Sequence, residues 1–108
     1  KVKYGSFLLK DYRIEEATDI FHQALELNPT IKEVHLNLGY IDLLNQDFIS
    51  AGNSLKQAIA LDPDYILAYE NLVLSAQMQN KIEDTKLYLR KILEIAPNHK
   101  AQLILDNL

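Results

Sequence analysis

The 108-residue chain contains no cysteine and no tryptophan, and it has only three glycines and three prolines. Without cysteine it cannot form disulfides, use a thiol nucleophile or bind zinc through thiolates. Its apolar runs are short, as in Leu103-Ile104-Leu105, whereas a membrane-spanning helix needs roughly 20 apolar residues. The sequence therefore predicts no membrane span. The compartment stays open, and we favour a soluble, cytoplasmic one.

The charge pattern argues against a nucleic-acid-binding protein. The chain has 11 Lys and Arg against 15 Asp and Glu, for a formal charge of −4, and the two signs are interleaved along its length. Phosphate neutralisation requires clustered basic residues, and no basic stripe is present. With 48% hydrophobic and 24% charged residues, the composition is typical of a globular protein.

The three prolines are regularly spaced. Pro29, Pro63 and Pro97 stand at equal intervals, and a fixed period of about 34 residues is the signature of a repeat protein. Within each period, apolar residues recur at steps of three and four, which indicates amphipathic helices. The polar triplets Asn45-Gln46-Asp47 and Gln79-Asn80-Lys81 are short enough to join antiparallel helices. We predict seven helices, near residues 2–10, 13–27, 31–45, 48–61, 65–79, 82–95 and 99–107.

Each proline also marks a boundary between helices, because it cannot continue a helix and disfavours the α conformation in the residue before it. After the first proline, Thr30 and Glu33 form the pattern of a capping box, in which each side chain accepts from a free amide of the first turn. Asp64 and Asn98 stand at the matching places in the later units. We therefore predict side-chain N-caps at all three positions.

The chain resembles the tetratricopeptide repeat family, whose 34-residue helix-turn-helix pattern has an aromatic residue, Leu-Gly, Tyr, Ala, Phe, Ala and Pro at fixed offsets. The first unit carries Tyr4-Gly5, Leu8, Ala17, Phe21, Ala24 and Pro29. The second carries His35, Leu38-Gly39, Asp42, Ala51, Leu55, Ala58 and Pro63, and the third Tyr69, Leu72-Val73, Ala76, Thr85, Leu89, Ile92 and Pro97.

The resemblance implies an all-α fold: a right-handed α-solenoid of antiparallel helical hairpins, with three 34-residue units and a C-terminal capping helix. We expect one repeat domain over 1–108, divided into a trimmed repeat 1–31, repeats 32–65 and 66–99, and a capping helix 100–108. Because 108 residues exceed three periods only slightly and the repeat frame places Lys1 within the first helix of its repeat, we expect the chain to be part of a longer array.

Two residues depart from the pattern. Asp42 occupies the slot of a packed tyrosine, where a buried carboxylate needs a partner. We expect it to hydrogen-bond a neighbouring Tyr, His or Lys or to reach water, with a functional role as the alternative. Gly52 lies inside a helix, where glycine costs about 1 kcal/mol relative to alanine. We attribute it to tight backbone packing beside Ala51 rather than to a hinge.

No catalytic pattern is present. The histidines His22, His35 and His99 fall in three different units without ligand spacing, and no metalloprotease, P-loop or nucleophile-elbow motif occurs. We predict structural roles for all three histidines. The sequence favours a protein that is not an enzyme and that requires no metal or cofactor.

The resemblance further implies a superhelix whose concave face, lined by the first helix of each hairpin, binds peptide or protein segments. The predicted groove residues are Val2, Ser6, Leu9, Glu33, Leu36, Tyr40, Leu43, Leu44, Leu67, Glu70, Leu74, Gln77 and Met78. A subclass of the family grips acidic chaperone tails with lysines, asparagines and an arginine, and the corresponding residues here are Val2, Ser6, Asn37, Leu67 and Asn71. Only Asn37 matches, so we expect a hydrophobic or amphipathic protein segment instead.

Two alternatives to this scaffold function remain. The apolar surfaces of the repeats are also compatible with self-association into a homo-oligomer through exposed repeat ends. The other alternative is a spacer within a larger enzyme or regulatory protein. The sequence identifies neither the partner nor the pathway.

Overall fold

The fold consists of six α-helices in a computed structural model that describes residues 14–97 and 99–108. The helices are α1 Ile14–Leu27, α2 Lys32–Leu44, α3 Phe48–Leu61, α4 Ile66–Met78, α5 Ile82–Ile95 and α6 Ala101–Asp106. No strand occurs in these two ranges. The all-α prediction is confirmed, and six of the seven predicted helices agree with the observed ones to within about two residues. The predicted helix at 2–10 lies outside the described residues.

The helices stack in the order of the sequence. Each helix packs against the next one along the chain, and α2 also contacts α4. Helices α2 and α3 form one hairpin, and α4 and α5 form the next. This arrangement places α2 and α4, the first helices of successive hairpins, beside each other.

The turns within the two hairpins have the same backbone conformation. Gln46 and Asn80, which occupy the same position in successive units, have φ angles of 59° and 57°, in the left-handed region that residues other than glycine seldom adopt. Asp47 follows the first of these residues and caps α3, because its Oδ1 accepts from the Ser50 amide at 3.2 Å. The polar triplets therefore form the tight turns predicted from their length.

The junctions at the prolines differ from the prediction. Ile31 and Tyr65 occupy the N-cap positions of α2 and α4, and neither makes a side-chain cap hydrogen bond. Instead, Asn28 Oδ1 accepts from the Thr30 amide and hydroxyl at 3.0 and 2.6 Å, and Asp62 Oδ1 accepts from the Asp64 amide at 3.1 Å.

The predicted capping roles of Thr30 and Asp64 are therefore wrong. In both junctions the side chain before the proline reaches over it to the amide two residues on, which is the pattern of an Asx turn. The predicted cap at Asn98 lies outside the described residues.

The core consists of three clusters arranged along the stack. Phe21, Leu55 and Leu89 occupy the same position in successive units and are all fully buried. Phe21 packs with α2 residues, Leu55 with Tyr65 and α4 residues, and Leu89 with residues of α4 and α6. Each cluster thus joins consecutive hairpins, as expected for repeats that cannot bury an apolar face alone.

The two described glycines have different environments. A Cβ built on Gly39 would lie 2.8 Å from Cγ and Cδ2 of Leu55, so α2 and α3 approach closely only because this side chain is absent. A Cβ on Gly52 would meet no heavy atom of the described residues within 4 Å. The prediction that tight packing explains Gly52 is therefore wrong.

Candidate functional site

The predicted groove residues of α2 and α4 include five exposed apolar side chains: Tyr40, Leu44, Leu67, Leu74 and Met78, with exposed fractions between 38% and 53%. Tyr40 and Leu74 are separated by one repeat period, and so are Leu44 and Met78. The two residues of each pair therefore occupy equivalent positions in successive units. Since α2 contacts α4, these residues lie on neighbouring helices. We call the five side chains the α2–α4 face.

The other predicted groove residues have varied surroundings. Leu43 is only 1% exposed, so its side chain belongs to the core and does not line the groove. Leu36 is half-buried and packs against the cluster that contains Leu55. Glu33 and Gln77 are exposed and Glu70 is half-buried. Val2, Ser6 and Leu9 lie outside the described residues.

The last described helix extends this surface. Ile104 and Leu108 stand one repeat period after Glu70 and Leu74, and a cavity of about 250 Å³ is lined by Leu74, Gln77 and Ile104. Sequence reasoning missed both C-terminal residues because the groove was assigned only to complete hairpins. The repeat period was the signal that could have identified them.

A hydrogen-bonded pair joins α4 to the start of α6 beside this cavity. His99 Nδ1 accepts the Ala101 amide at 2.9 Å, so its Nε2 carries the proton that is donated to Glu70 Oε2 at 3.0 Å. His35 Nε2 similarly donates to the Pro29 carbonyl at 2.9 Å. Both histidines thus have structural partners, and the Glu70 carboxylate is held in place at the edge of the groove.

The cation at the start of α2 is already paired. Lys32 donates to Asp62, and its Nζ lies 4.6 Å from the centre of the Tyr65 ring. The hydrogen bond raises the pKa of Lys32 and lowers the pKa of Asp62, while burial raises the pKa of the Tyr65 hydroxyl. A bound acidic peptide would therefore have to compete with Asp62 for this ammonium group.

Asp42 has a partner of a type the sequence did not suggest. Its Oδ2 accepts from the Ser50 hydroxyl at 2.8 Å, which connects α2 to α3 across the turn. Burial raises the pKa of the Asp42 carboxyl, although the Ser50 hydrogen bond acts in the opposite direction. The carboxyl is therefore protonated more readily in the folded state than in an exposed chain, and its hydrogen bond to Ser50 gives it a structural role at the turn.

We expect Asp42→Asn to raise the melting temperature at pH 7 by a few degrees at most, since water screens part of the cost of burying this half-buried carboxylate. The amide keeps an acceptor for Ser50 and removes the charge that burial disfavours. The pKa of Asp42 in the folded state lies above the ordinary value of about 3.9 for aspartate. Lowering the pH through the folded-state pKa therefore protonates the carboxylate and restores the stability that its burial costs at pH 7. Thermal unfolding from pH 7 to 3.5 should show the gain disappearing, whereas the exposed Asp19→Asn control should show no such gain. A gain that persists at pH 3.5 would contradict this explanation.

The described residues contain no group of three or more His, Asp or Glu side chains placed to hold a metal ion. No helix within the same ranges has the length and apolarity needed to cross a membrane.

Comparison with known proteins identifies the repeat type. The family model for the tetratricopeptide repeat matches residues 32–65. Two curated relatives are a protein O-mannosyl-transferase of Caenorhabditis elegans, F38B6.6, and the human protein O-mannosyl-transferase TMTC3. The first is 26% identical over 91 residues, covering 82% of this chain and 13% of that protein. The second is 26% identical over 92 residues, covering 84% of this chain and 10% of that protein. The chain thus spans only about a tenth of these relatives.

Solved structures show the same fold. The first tetratricopeptide domain of Spaghetti (RPAP3), bound to the HSP90 peptide SRMEEVD, superposes with a TM-score of 0.85 at 22% identity, covering 98% of this chain and 87% of that one. YrrB, described as having an unusual peptide-binding site, gives 0.83 at 22% identity, covering 96% of this chain and 54% of that one. The second domain of human RPAP3, bound to the HSP70 peptide SGPTIEEVD, gives 0.82 at 21% identity, covering 97% and 88%.

Proposed function

We propose that this chain, whose residues 32–65 match the tetratricopeptide repeat family model, is a non-catalytic scaffold whose α2–α4 face binds a hydrophobic or amphipathic segment of a partner protein. The observation that carries the proposal is the exposure of five apolar side chains on two neighbouring helices, four of them at positions that repeat in successive units. A contiguous exposed apolar surface is typical of an interaction site. The peptide complexes of the RPAP3 domains support a scaffold function for this fold.

The charges around the face favour a neutral or basic segment. Glu33 and Glu70 flank the apolar side chains, and Lys32 is paired with Asp62. The peptide in the Spaghetti complex, SRMEEVD, is acidic. Since like charges across an interface are unfavourable, we expect this peptide to bind the α2–α4 face weakly or not at all. Basic residues at the edges of the partner segment would complement the two glutamates.

We expect Tyr40→Ser combined with Leu74→Ser to weaken partner binding by at least about tenfold. Full burial of one such side chain contributes roughly 1.5 to 3 kcal/mol, and these two are already partly buried, so each contributes about half of that. The measurement is affinity capture from the source lysate, identification of the bound protein, and titration calorimetry with the purified partner.

The matched control is Leu87→Ser, which replaces an exposed leucine on α5 away from the face. Circular dichroism should show that all variants keep their helix content. A folded double variant that binds the partner as tightly as the control would rule out the α2–α4 face as the binding site.

The proposal includes the division of the chain into repeats. These are a trimmed repeat over 1–31, repeats over 32–65 and 66–99, and a capping helix over 100–108. The family-model match over 32–65 supports the boundaries of the second unit. The recurrence of Ile104 and Leu108 at groove positions supports a capping helix that continues the face.

The second candidate is a self-associating or spacer module attached to a larger enzyme. It is favoured by the two O-mannosyl-transferase relatives, of which the chain covers only 13% and 10%. Sedimentation over a wide concentration range tests self-association, and a monomer throughout would exclude it. Transferase assays of the parent protein carrying the Tyr40 and Leu74 substitutions would distinguish a spacer, which should tolerate them, from a docking surface.

A further inference from the structure

Gly52 lies within α3, and no packing contact among residues 14–97 and 99–108 requires a glycine there. A mid-helix glycine costs about 1 kcal/mol relative to alanine, and a Cβ at this position would meet no heavy atom of these residues within 4 Å. The matching positions of the neighbouring units hold Thr18 and Lys86, so the repeat itself does not demand glycine. A residue that breaks a local rule without a packing gain is expected where a ligand approaches the backbone closely.

Gly52 lines a cleft of about 310 Å³. Its lining residues come from α3, from the second half of α4 and the turn after it, and from the first half of α5, including Tyr88. None of the cleft residues belongs to the α2–α4 face. A side chain at position 52 would project into this space, so the glycine keeps the cleft open.

The polar groups of the cleft suit a peptide. The Gln79 side-chain amide donates to Ser75 Oγ at 3.1 Å and to the Ser75 carbonyl at 3.2 Å, which holds Gln79 in place in the lining. Asn53, one residue after Gly52, is exposed in the same lining. The Asn53 carboxamide can donate to a C=O group and accept from an N–H group of an extended segment, whereas Gln79, whose amide hydrogens point to Ser75, can accept through its Oε1. Ile49, which is 82% exposed, adds an apolar contact.

The charges of the cleft are opposite to those of the whole chain. Lys56 and Lys81 line it, and within the described residues neither forms a salt bridge, while Asp84 is the only acidic residue in the lining. The cleft therefore carries a net positive charge on a chain with a formal charge of −4. This arrangement favours a negatively charged ligand.

We propose that this cleft is a second binding site, which takes an extended acidic peptide segment with its backbone over Gly52 and its carboxylates directed to Lys56 and Lys81. The volume lies at the lower end of the range for small-molecule pockets, and one or two residues of an extended chain fill it. The site is independent of the α2–α4 face, which has the opposite charge preference.

The test uses two acetylated, amidated peptides, Ser-Glu-Val-Glu-Glu-Ser and its charge-reversed counterpart Ser-Lys-Val-Lys-Lys-Ser, titrated into the ¹⁵N-labelled chain. We expect the acidic peptide to shift the amide resonances of Gly52, Asn53 and Gln79 and to bind at least about tenfold more tightly than the basic one. Gly52→Leu should weaken binding at least about tenfold, because the side chain occupies the cleft. Lys56→Gln and Lys81→Gln should each weaken it about two- to fivefold, the range expected for an exposed charge pair.

Matched controls separate binding from folding. Gln57→Leu introduces the same side chain at an exposed position of α3 outside the cleft, and Lys91→Gln removes a lysine elsewhere; both should bind like the wild type. Gly52→Leu should melt no lower than the wild type, since leucine has the higher helix propensity. Equal binding of the two peptides, wild-type affinity of a folded Gly52→Leu, or no shift at about 1 mM peptide, a weak limit for a specific site, would each overturn the proposal.

Discussion

Replacing Leu55 by alanine should lower the free energy of unfolding by about 2 to 5 kcal/mol, the range measured for buried leucines in close-packed cores. The side chain is fully buried and packs from α3 against α2 and α4, with Tyr65 and Leu72 in its cluster. Its loss leaves a cavity at the junction of two hairpins, where no single helix can move to fill it. Domains are stable by about 5 to 15 kcal/mol in total, so this change removes a large share.

Urea denaturation followed by circular dichroism measures the effect, with Leu87→Ala as the exposed control. The control should change stability by less than about 0.5 kcal/mol. Because repeat proteins unfold unit by unit when an interface weakens, hydrogen exchange should also show α3 and α4 opening first. A loss at Leu55 no greater than that of the control would show that this junction does not hold the stack together.

Replacing Gly39 by alanine should destabilise the chain by about 1 to 3 kcal/mol, whereas Gly52→Ala should stabilise it by about 0.5 to 1 kcal/mol. Both glycines lie within helices, so both gain helix propensity from the extra methyl group. Only at Gly39 would the new Cβ lie 2.8 Å from Leu55, which forces α2 and α3 apart. The opposite signs of two identical substitutions, measured by urea denaturation, isolate the packing contribution.

A double-mutant cycle identifies the atoms responsible. In the Leu55→Ala background the Cγ and Cδ2 atoms that approach Gly39 are absent, so Gly39→Ala should cost much less there. We expect a coupling energy of about 1 to 2 kcal/mol, within the range for residues in contact. Additive effects would mean that the cost of alanine at position 39 comes from elsewhere, such as its 3.4 Å approach to the Ala51 carbonyl.

The repeat period made much of this fold predictable. Helix positions, turns and the buried Phe21, Leu55 and Leu89 follow from local rules that recur in every unit, so each unit supplied independent support for the same assignment. The two C-terminal residues of the groove were missed, although the same period identifies them. The caps at Thr30 and Asp64 were predicted wrongly, because the side chain before each proline competes for the same junction and forms an Asx turn.

The candidate sites were less predictable, because burial depends on neighbours that are distant in sequence. Leu43 and Leu44 are adjacent and chemically identical, yet one is buried and the other is 47% exposed. The Glu70 to His99 hydrogen bond joins residues 29 apart, with no local signal in either segment. The cleft beside Gly52 is formed by three helices, so its shape and charge could not be deduced from α3 alone.

The sequence by itself determined the all-α repeat architecture, since proline spacing and helical periodicity are local properties that each unit repeats. The resemblance to the repeat family also predicted an apolar face on the first helices of the hairpins, which stays a proposal. The tertiary structure decided which leucines remain exposed. It also showed that Gly39 must lack a side chain because Leu55 lies against it, whereas packing within the described residues does not require a glycine at position 52. Those outcomes depend on how closely two helices approach, a distance set by all the side chains between them.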